Sequence, residues 1–200
     1  VSGFYVTDPK IVENPVAIPR LNYNELREMS YMGANVLHDD AVFPVKSKNI
    51  PINIRNTNAP DDPGTMILND CSELDRTDPP HAITGITGRK DYTSITIVKN
   101  HASAEVGFLR RMLQAFEDYH VSIEEVPTTV DTFSVLVSSS AVQNCLYDIV
   151  GRLKEELHPE DVRIEEHLAL VAVVGRAMKE QPGMSGRLLS EFGHNKINIK

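Results

Sequence analysis

The feature that most limits what this chain can fold into is an internal repeat, in which a strand, a glycine and an amphipathic helix occur twice. Laying GFLRRMLQAFEDYHVSI (Gly107 to Ile123) over GMSGRLLSEFGHNKINI (Gly183 to Ile199) gives one constant offset of 76 residues. Gly107 meets Gly183, Arg111 meets Arg187, Leu113 meets Leu189 and Phe116 meets Phe192. Upstream, Ile95 and Ile97 fall on Val171 and Val173. A strand, a glycine and a helix that match at a single offset mark a duplicated unit. Within the first copy, Phe108, Met112, Ala115, Phe116 and Tyr119 recur at spacings of three and four, which predicts one apolar helix face.

The first copy continues beyond the matched segment. DTFSVLVSS alternates Phe133, Val135 and Val137 as a strand, and VRIEE reads as another. Between them, Gln143 to Leu157 carries Leu146, Ile149, Val150, Leu153 and Leu157 at helical spacing. The order βαββαβ is that of a ferredoxin-like sandwich, four antiparallel strands with two helices on one face. We expect this domain over residues 83–166 and a second, incomplete copy over 167–200.

Residues 1–70 read differently. A short strand in GFYVTDPKIV turns at Thr7-Asp8-Pro9, where Asp caps and Pro presets φ. Asn22 followed by Glu25 has capping-box spacing, ahead of a stripe formed by Leu26, Met29, Ser30, Gly33 and Leu37. A second short helix is expected over Asp40 to Lys48. Ile50, Ile52 and Ile54 then alternate as a strand, and one more short strand follows NTNAPDDPGTMI. Alternating strands and helices point to an α/β domain. The polar, acidic stretch 71–82 reads as a linker.

A formal net charge of −8 argues against a nucleic-acid binder that works by neutralising phosphates. No apolar run approaches the ~20 residues needed to span a bilayer. Cys71 and Cys145 form no CxxC pair, so a reducing cytoplasm is the default expectation. Metal-ligand spacing, a GxSxG elbow and a Walker lysine are all missing, and no metal site is expected.

Two places could carry binding chemistry. Gly107 opens a helix, whose N–H groups and positive dipole end favour an anion such as a small carboxylate. Glu124 and Glu125 end the following strand and could accept an α-ammonium, so the pair would read an amino acid. A tight glycine turn beside two solvated glutamates explains the same residues equally well. Tyr5 and Lys10 flank the TDP turn, where a ring and a cation would suit a nucleotide, though an ordinary surface turn fits too. His38 and His101 read as capping or surface histidines.

The motifs taken together resemble a known family. GFYVTDPK, a helix ending in GANVLH, IPINIRNT and the PGT turn resemble the C-terminal part of the catalytic domain of aspartate kinases. VPTTVDTFSVLV and the tandem repeats resemble the ACT regulatory domains that follow it. The resemblance covers essentially the whole chain, with the motifs in the family's order. It implies an α/β and α+β chain: the C-terminal part of an amino-acid kinase sandwich, then tandem ferredoxin-like ACT domains. It also implies that residues 83–90 could be a strand of the second ACT domain.

The implied activity is transfer of the γ-phosphoryl of ATP, with Mg2+, to the β-carboxylate of L-aspartate, at the head of lysine, threonine and methionine synthesis. Nucleotide binding is implied for Tyr5, Lys10, Asn35 and Val36, with Lys10 and Asn35 standing where the family has Arg and Lys. An amino-acid effector, lysine or threonine, is implied at Glu105, Val106, Gly107, Phe108, Leu109 and Glu124, across a homodimer of ACT domains. Glu124 stands where the family has Asp. The resemblance places the catalytic residues ahead of Val1, so we expect a piece of a longer enzyme that is inactive by itself. A stand-alone amino-acid sensor is the alternative; an RNA-binding domain would need exposed aromatics on its central strands.

Overall fold

The 76-residue offset holds in the backbone. In the computed structural model, which describes residues 2–33, 37, 39–77 and 81–200, β6 (Gly85–Val98) and β9 (Asp161–Val174) are both 14-residue strands. Each is followed by a single 3-10 turn, Ala102–Ala104 and Met178–Glu180, and then by a glycine-capped helix. Those helices are α4 (Phe108–Glu117) and α7 (Met184–His194). Even the exceptional dihedrals repeat: Asp91 and His167 have φ of 66° and 60°, and His120 and Lys196 both have 56°.

These strands differ from the sequence reading. A strand over residues 83–90 and the repeat strand at Ile95 and Ile97 are one unbroken strand, as are VRIEE and the repeat strand at Val171 and Val173. The break is replaced by a single left-handed residue inside the strand. Asp and His are among the few side chains that tolerate that conformation, so the chain changes direction without a turn.

The chain forms two units, residues 89–170 and residues 1–88 with 171–200. The first contains the sheet order β7-β8-β6-β9, where β7 is Ile123–Glu125 and β8 is Thr132–Ser138. β6 and β7 both pair antiparallel to β8. Phe133, Val135 and Val137 are buried on one face of β8, facing the same core as Ile95 and Ile97. Phe108, Met112, Ala115 and Phe116 close that core from α4. Tyr119, expected on the same face, is exposed because α4 ends at Glu117. Two helices occupy the rest of the unit, α5 (Ser139–Val142) and α6 (Leu146–Leu157). All five apolar residues predicted for α6 are buried, although the helix starts three residues later than Gln143.

In the other unit, β1 (Phe4–Tyr5) and β2 (Ala17–Ile18) form a hairpin. A three-stranded sheet follows in the order β3-β5-β4, built from Arg20–Asn22, Thr65–Leu68 and Ile52–Ile54. Ile50 was expected in that strand but lies outside it, exposed. Pro51 has no N–H for a ladder, and the Ile50 N–H instead donates to the Val45 carbonyl at 3.0 Å. That bond closes α2 (Asp39–Ser47).

Helix α1 (Tyr23–Tyr31) starts on the predicted capping box: Glu25 N–H donates to Asn22 Oδ1 at 2.8 Å, and Asn22 N–H to Glu25 Oε2 at 3.0 Å. Leu26, Met29 and Ser30 are buried as the stripe predicts, but α1 ends before Gly33, which is exposed. Phe4, Leu21, Leu26, Ile67 and Val174 share the core. The stretch 71–82 contains a short helix, α3 (Ser72–Thr77). Gly175, just past β9, is required by close approach: a Cβ there would sit 2.2 Å from the Ala82 carbonyl oxygen.

Candidate effector and nucleotide sites

Gly107 caps α4 with φ 79°, and its counterpart Gly183 caps α7 with φ 82°. A left-handed residue lets the chain turn sharply from the 3-10 turn into the helix, whose first-turn N–H groups have no partner within the helix. The neighbours named by the sequence divide their roles. Val106 is 94% exposed and Leu109 is partly exposed. Phe108 is buried; its ring packs 4.8 Å from that of Phe133, with Lys99 Nζ 5.5 Å above it. Its N–H already donates to the Glu105 carbonyl at 3.1 Å.

The Glu105 carboxylate is held by Lys99, at 2.5 Å, and by Arg111. The Lys99 hydrogen bond, assisted by Arg111, keeps this carboxyl below its ordinary range. The turn therefore presents backbone donors framed by a fixed ion triad rather than loose side chains. The second copy lacks that triad, because Gly175 and Gln181 stand at the positions of Lys99 and Glu105. Glu124 is half-buried at a bulge in β7, where Ile123 pairs with Val137 and Glu125 with Leu136, leaving Glu124 as the extra residue. A bulge re-aims the side chain it carries.

At the TDP turn, Lys10 N–H donates to Asp8 Oδ1 at 2.8 Å, the predicted Asx turn. Tyr5 is half-buried on β1, and Lys10 is exposed in the loop between β1 and β2. Asn35, Val36 and His38 lie outside the described residues. His101 is exposed, with φ 60°, and its N–H donates to Asp131 Oδ1 at 2.8 Å. Tyr92 and Phe133, the aromatics of the central strands, are buried and offer no stacking surface. No described helix is long and apolar enough to cross a membrane.

The sequence reading missed an ion cluster. Arg176, two residues past β9, reaches Asp75 through Nε and Nη2 at 2.7 and 2.9 Å, and Glu25 through Nη1 at 2.7 Å. Arg20 Nε adds a contact to Asp75 Oδ1 at 3.2 Å. Partners 101 and 151 residues away leave no local pattern. The available signal was a departure from the repeat, since Arg176 stands opposite Asn100.

The hydrogen bond from Arg176 holds the Asp75 carboxyl below the ordinary carboxylate range, with Arg20 adding to the effect. A depressed folded-state pKa means this stabilisation is complete above the unfolded value of about 3.9 and is lost as pH falls through the folded value. The urea midpoint is thus expected to drop below about pH 4, and Asp75→Asn should flatten that drop.

The fold and these features define a class: the C-terminal part of an amino-acid kinase domain joined to ferredoxin-like regulatory repeats of the ACT type. Residues 1–56 match the model of the amino acid kinase family. All of the chain aligns with Aspartokinase 3 of Bacillus subtilis, at 35% identity and covering 43% of that protein. The crystal structure of Clostridium acetobutylicum aspartate kinase, described as an allosteric enzyme, superposes with a TM-score of 0.91 at 42% identity, covering all of this chain and 46% of that one. E. coli aspartokinase III in complex with lysine and aspartate gives a TM-score of 0.68 at 26% identity, covering 88% of this chain and 38% of that one. The chain is similar to these aspartate kinases along its whole length and spans less than half of theirs.

Proposed function

We propose that the chain is part of an aspartate kinase that transfers a phosphoryl group from ATP to the β-carboxylate of L-aspartate and is regulated by an end-product amino acid. The observation that carries this reading is the likeness of all of this chain, at 42% identity, to 46% of an aspartate kinase described as allosteric. It is supported by the E. coli relative, whose complex holds lysine and aspartate. A sensor without kinase activity would have no use for residues 1–56, which match the amino acid kinase family.

Phosphoryl transfer depends on positioning and on electrostatic stabilisation of the transferring group, with Mg2+ neutralising phosphate charge. In this reading the Tyr5 ring packs beside the nucleotide, and the exposed Lys10 ammonium meets a phosphate oxygen as a point charge without a fork. Asn35 and Val36 complete the nucleotide segment. The effector's carboxylate docks on the first-turn N–H groups at Gly107, framed by Glu105, Val106, Phe108 and Leu109. Its α-ammonium meets Glu124. The ACT domains, with residues 83–90 assigned to the second, pair as a homodimer in the cytoplasm, and lysine or threonine is the effector.

The test has two arms. In the full-length protein, aspartyl phosphate trapped with hydroxylamine should appear with ATP, Mg2+ and aspartate; its absence overturns the kinase assignment. Calorimetry with L-lysine and then L-threonine should give binding that Glu124→Ala weakens at least tenfold, about 1.4 kcal/mol. Gly107→Val should weaken it similarly through backbone strain of roughly 1–2 kcal/mol. Space is not the obstacle, because the nearest atom to an added Cβ is Arg111 Nη1 at 3.6 Å.

A further inference from the structure

Glu25 does two jobs. It is the third residue of α1, where its carboxylate completes the capping box. It is also only 3% exposed. Among the described residues, four donors satisfy it. Oε1 accepts from the Thr84 hydroxyl at 2.7 Å and the Arg176 backbone N–H at 3.2 Å. Oε2 accepts from Asn22 N–H at 3.0 Å and Arg176 Nη1 at 2.7 Å. Arg176 thus supplies two of the four, one from its backbone and one from its side chain.

The guanidinium is fixed from its other edge. Nε and Nη2 grip Asp75 on α3 as a two-point fork, and a fork holds orientation as well as charge. The backbone at Arg176 is fixed by its neighbour, because Gly175 packs against the Ala82 carbonyl with no room for a side chain. The Thr84 N–H donates to the Val174 carbonyl at 2.7 Å, which fixes the end of β9. Both Glu25 and Asp75 are therefore referred to one rigid point. Helix α1 needs such a clamp, since it also buries the Ser30 hydroxyl with no partner among the described residues, an uncompensated cost.

We propose that Arg176 is a positioning residue for the kinase: from the end of the second repeat's first strand it fixes the first turn of α1, the helix leading to the nucleotide segment at Asn35 and Val36. The proposal rests on the kinase reading above for its consequence, but not for the clamp itself. Arg176 touches no substrate; it acts through Glu25. Loss of the fork would let the first turn of α1 move and weaken ATP binding, leaving the chemical step and aspartate binding alone.

Arg176→Lys keeps the charge and loses the fork; Arg176→Gln loses both. In the full-length kinase, Arg176→Gln should raise the KM for ATP about tenfold while kcat and the KM for aspartate stay within about twofold, and Arg176→Lys should fall between it and wild type. A merely structural role would instead lower kcat with both KM values unmoved, and that result overturns the proposal.

Hydrogen exchange on the 200-residue chain separates the two readings. Amides of residues 23–31 should exchange at least about tenfold faster in Arg176→Gln, with those of α4 unchanged. If wild type transfers no phosphoryl group, the kinase reading fails and the α1 amides alone decide; unchanged exchange there sinks the clamp. If Arg176→Gln does not fold, both measurements are made on Arg176→Lys.

Discussion

Phe108→Ala is expected to cost about 3–5 kcal/mol, the range for a fully buried phenylalanine whose cavity cannot collapse. The site has little means of relaxing. The ring lies between Phe133 on β8 and the rest of the apolar face of α4, with Met112, Ala115 and Phe116 all buried beside it. The substitution also removes the ring beneath Lys99. It keeps the backbone conformation at Gly107 and the N–H groups at the helix start. At a urea slope of about 2 kcal/mol/M, the midpoint for residues 89–170 should fall by roughly 1.5–2.5 M. A fall under 0.5 M, on the order of 1 kcal/mol at that slope, would show that Phe108 is not part of a close-packed core. The experiment also separates the two roles of this position: its side chain holds the fold, and only its backbone belongs to the candidate effector turn.

What could be read in advance follows from where the determinants lie. The core of residues 89–170 was legible because Phe133, Val135 and Val137, and the α4 residues Phe108 to Phe116, are periodic within a few positions of one another. The glycine turns were legible because the duplication repeats them. The unity of β6 and of β9 was not, since a left-handed Asp91 or His167 interrupts the alternation without ending the strand. Ile50 misled for a related reason: the three isoleucines alternate correctly, but Pro51 removes the donor that would join the first of them to the ladder.

The sites divide in the same way. Gly107 and the Asp8 turn are local devices and carry local signatures. The Glu25–Arg176–Asp75 cluster joins residues far apart in sequence. Of its three members only Glu25 had any signature, and that signature named its smaller role as a cap. A carboxylate directly ahead of a buried stripe was the clue, because burying it requires a charged or hydrogen-bonding partner.

The second large effect concerns that carboxylate, and its sign pattern is more informative than its size. Glu25→Ala and Arg176→Ala both break the pair, yet they should not cost the same. When Glu25 is removed, the Arg176 guanidinium keeps its two bonds to Asp75 and is itself more exposed than the glutamate. The loss is then the cap, about 1 kcal/mol, plus the hydrogen bonds to Thr84 and Arg176. When Arg176 is truncated, a nearly fully buried Glu25 loses the guanidinium that faces it, and Asp75 keeps Arg20. Uncompensated burial of this kind costs about 3–5 kcal/mol. Arg176→Ala should therefore be the more damaging, by about 1–2 kcal/mol in urea unfolding at neutral pH. The double variant should cost less than the two singles together, with a coupling of about 1–3 kcal/mol. Equal single costs with no coupling would mean that the carboxylate is held by Thr84 and the Asn22 N–H alone, and that Arg176 serves Asp75.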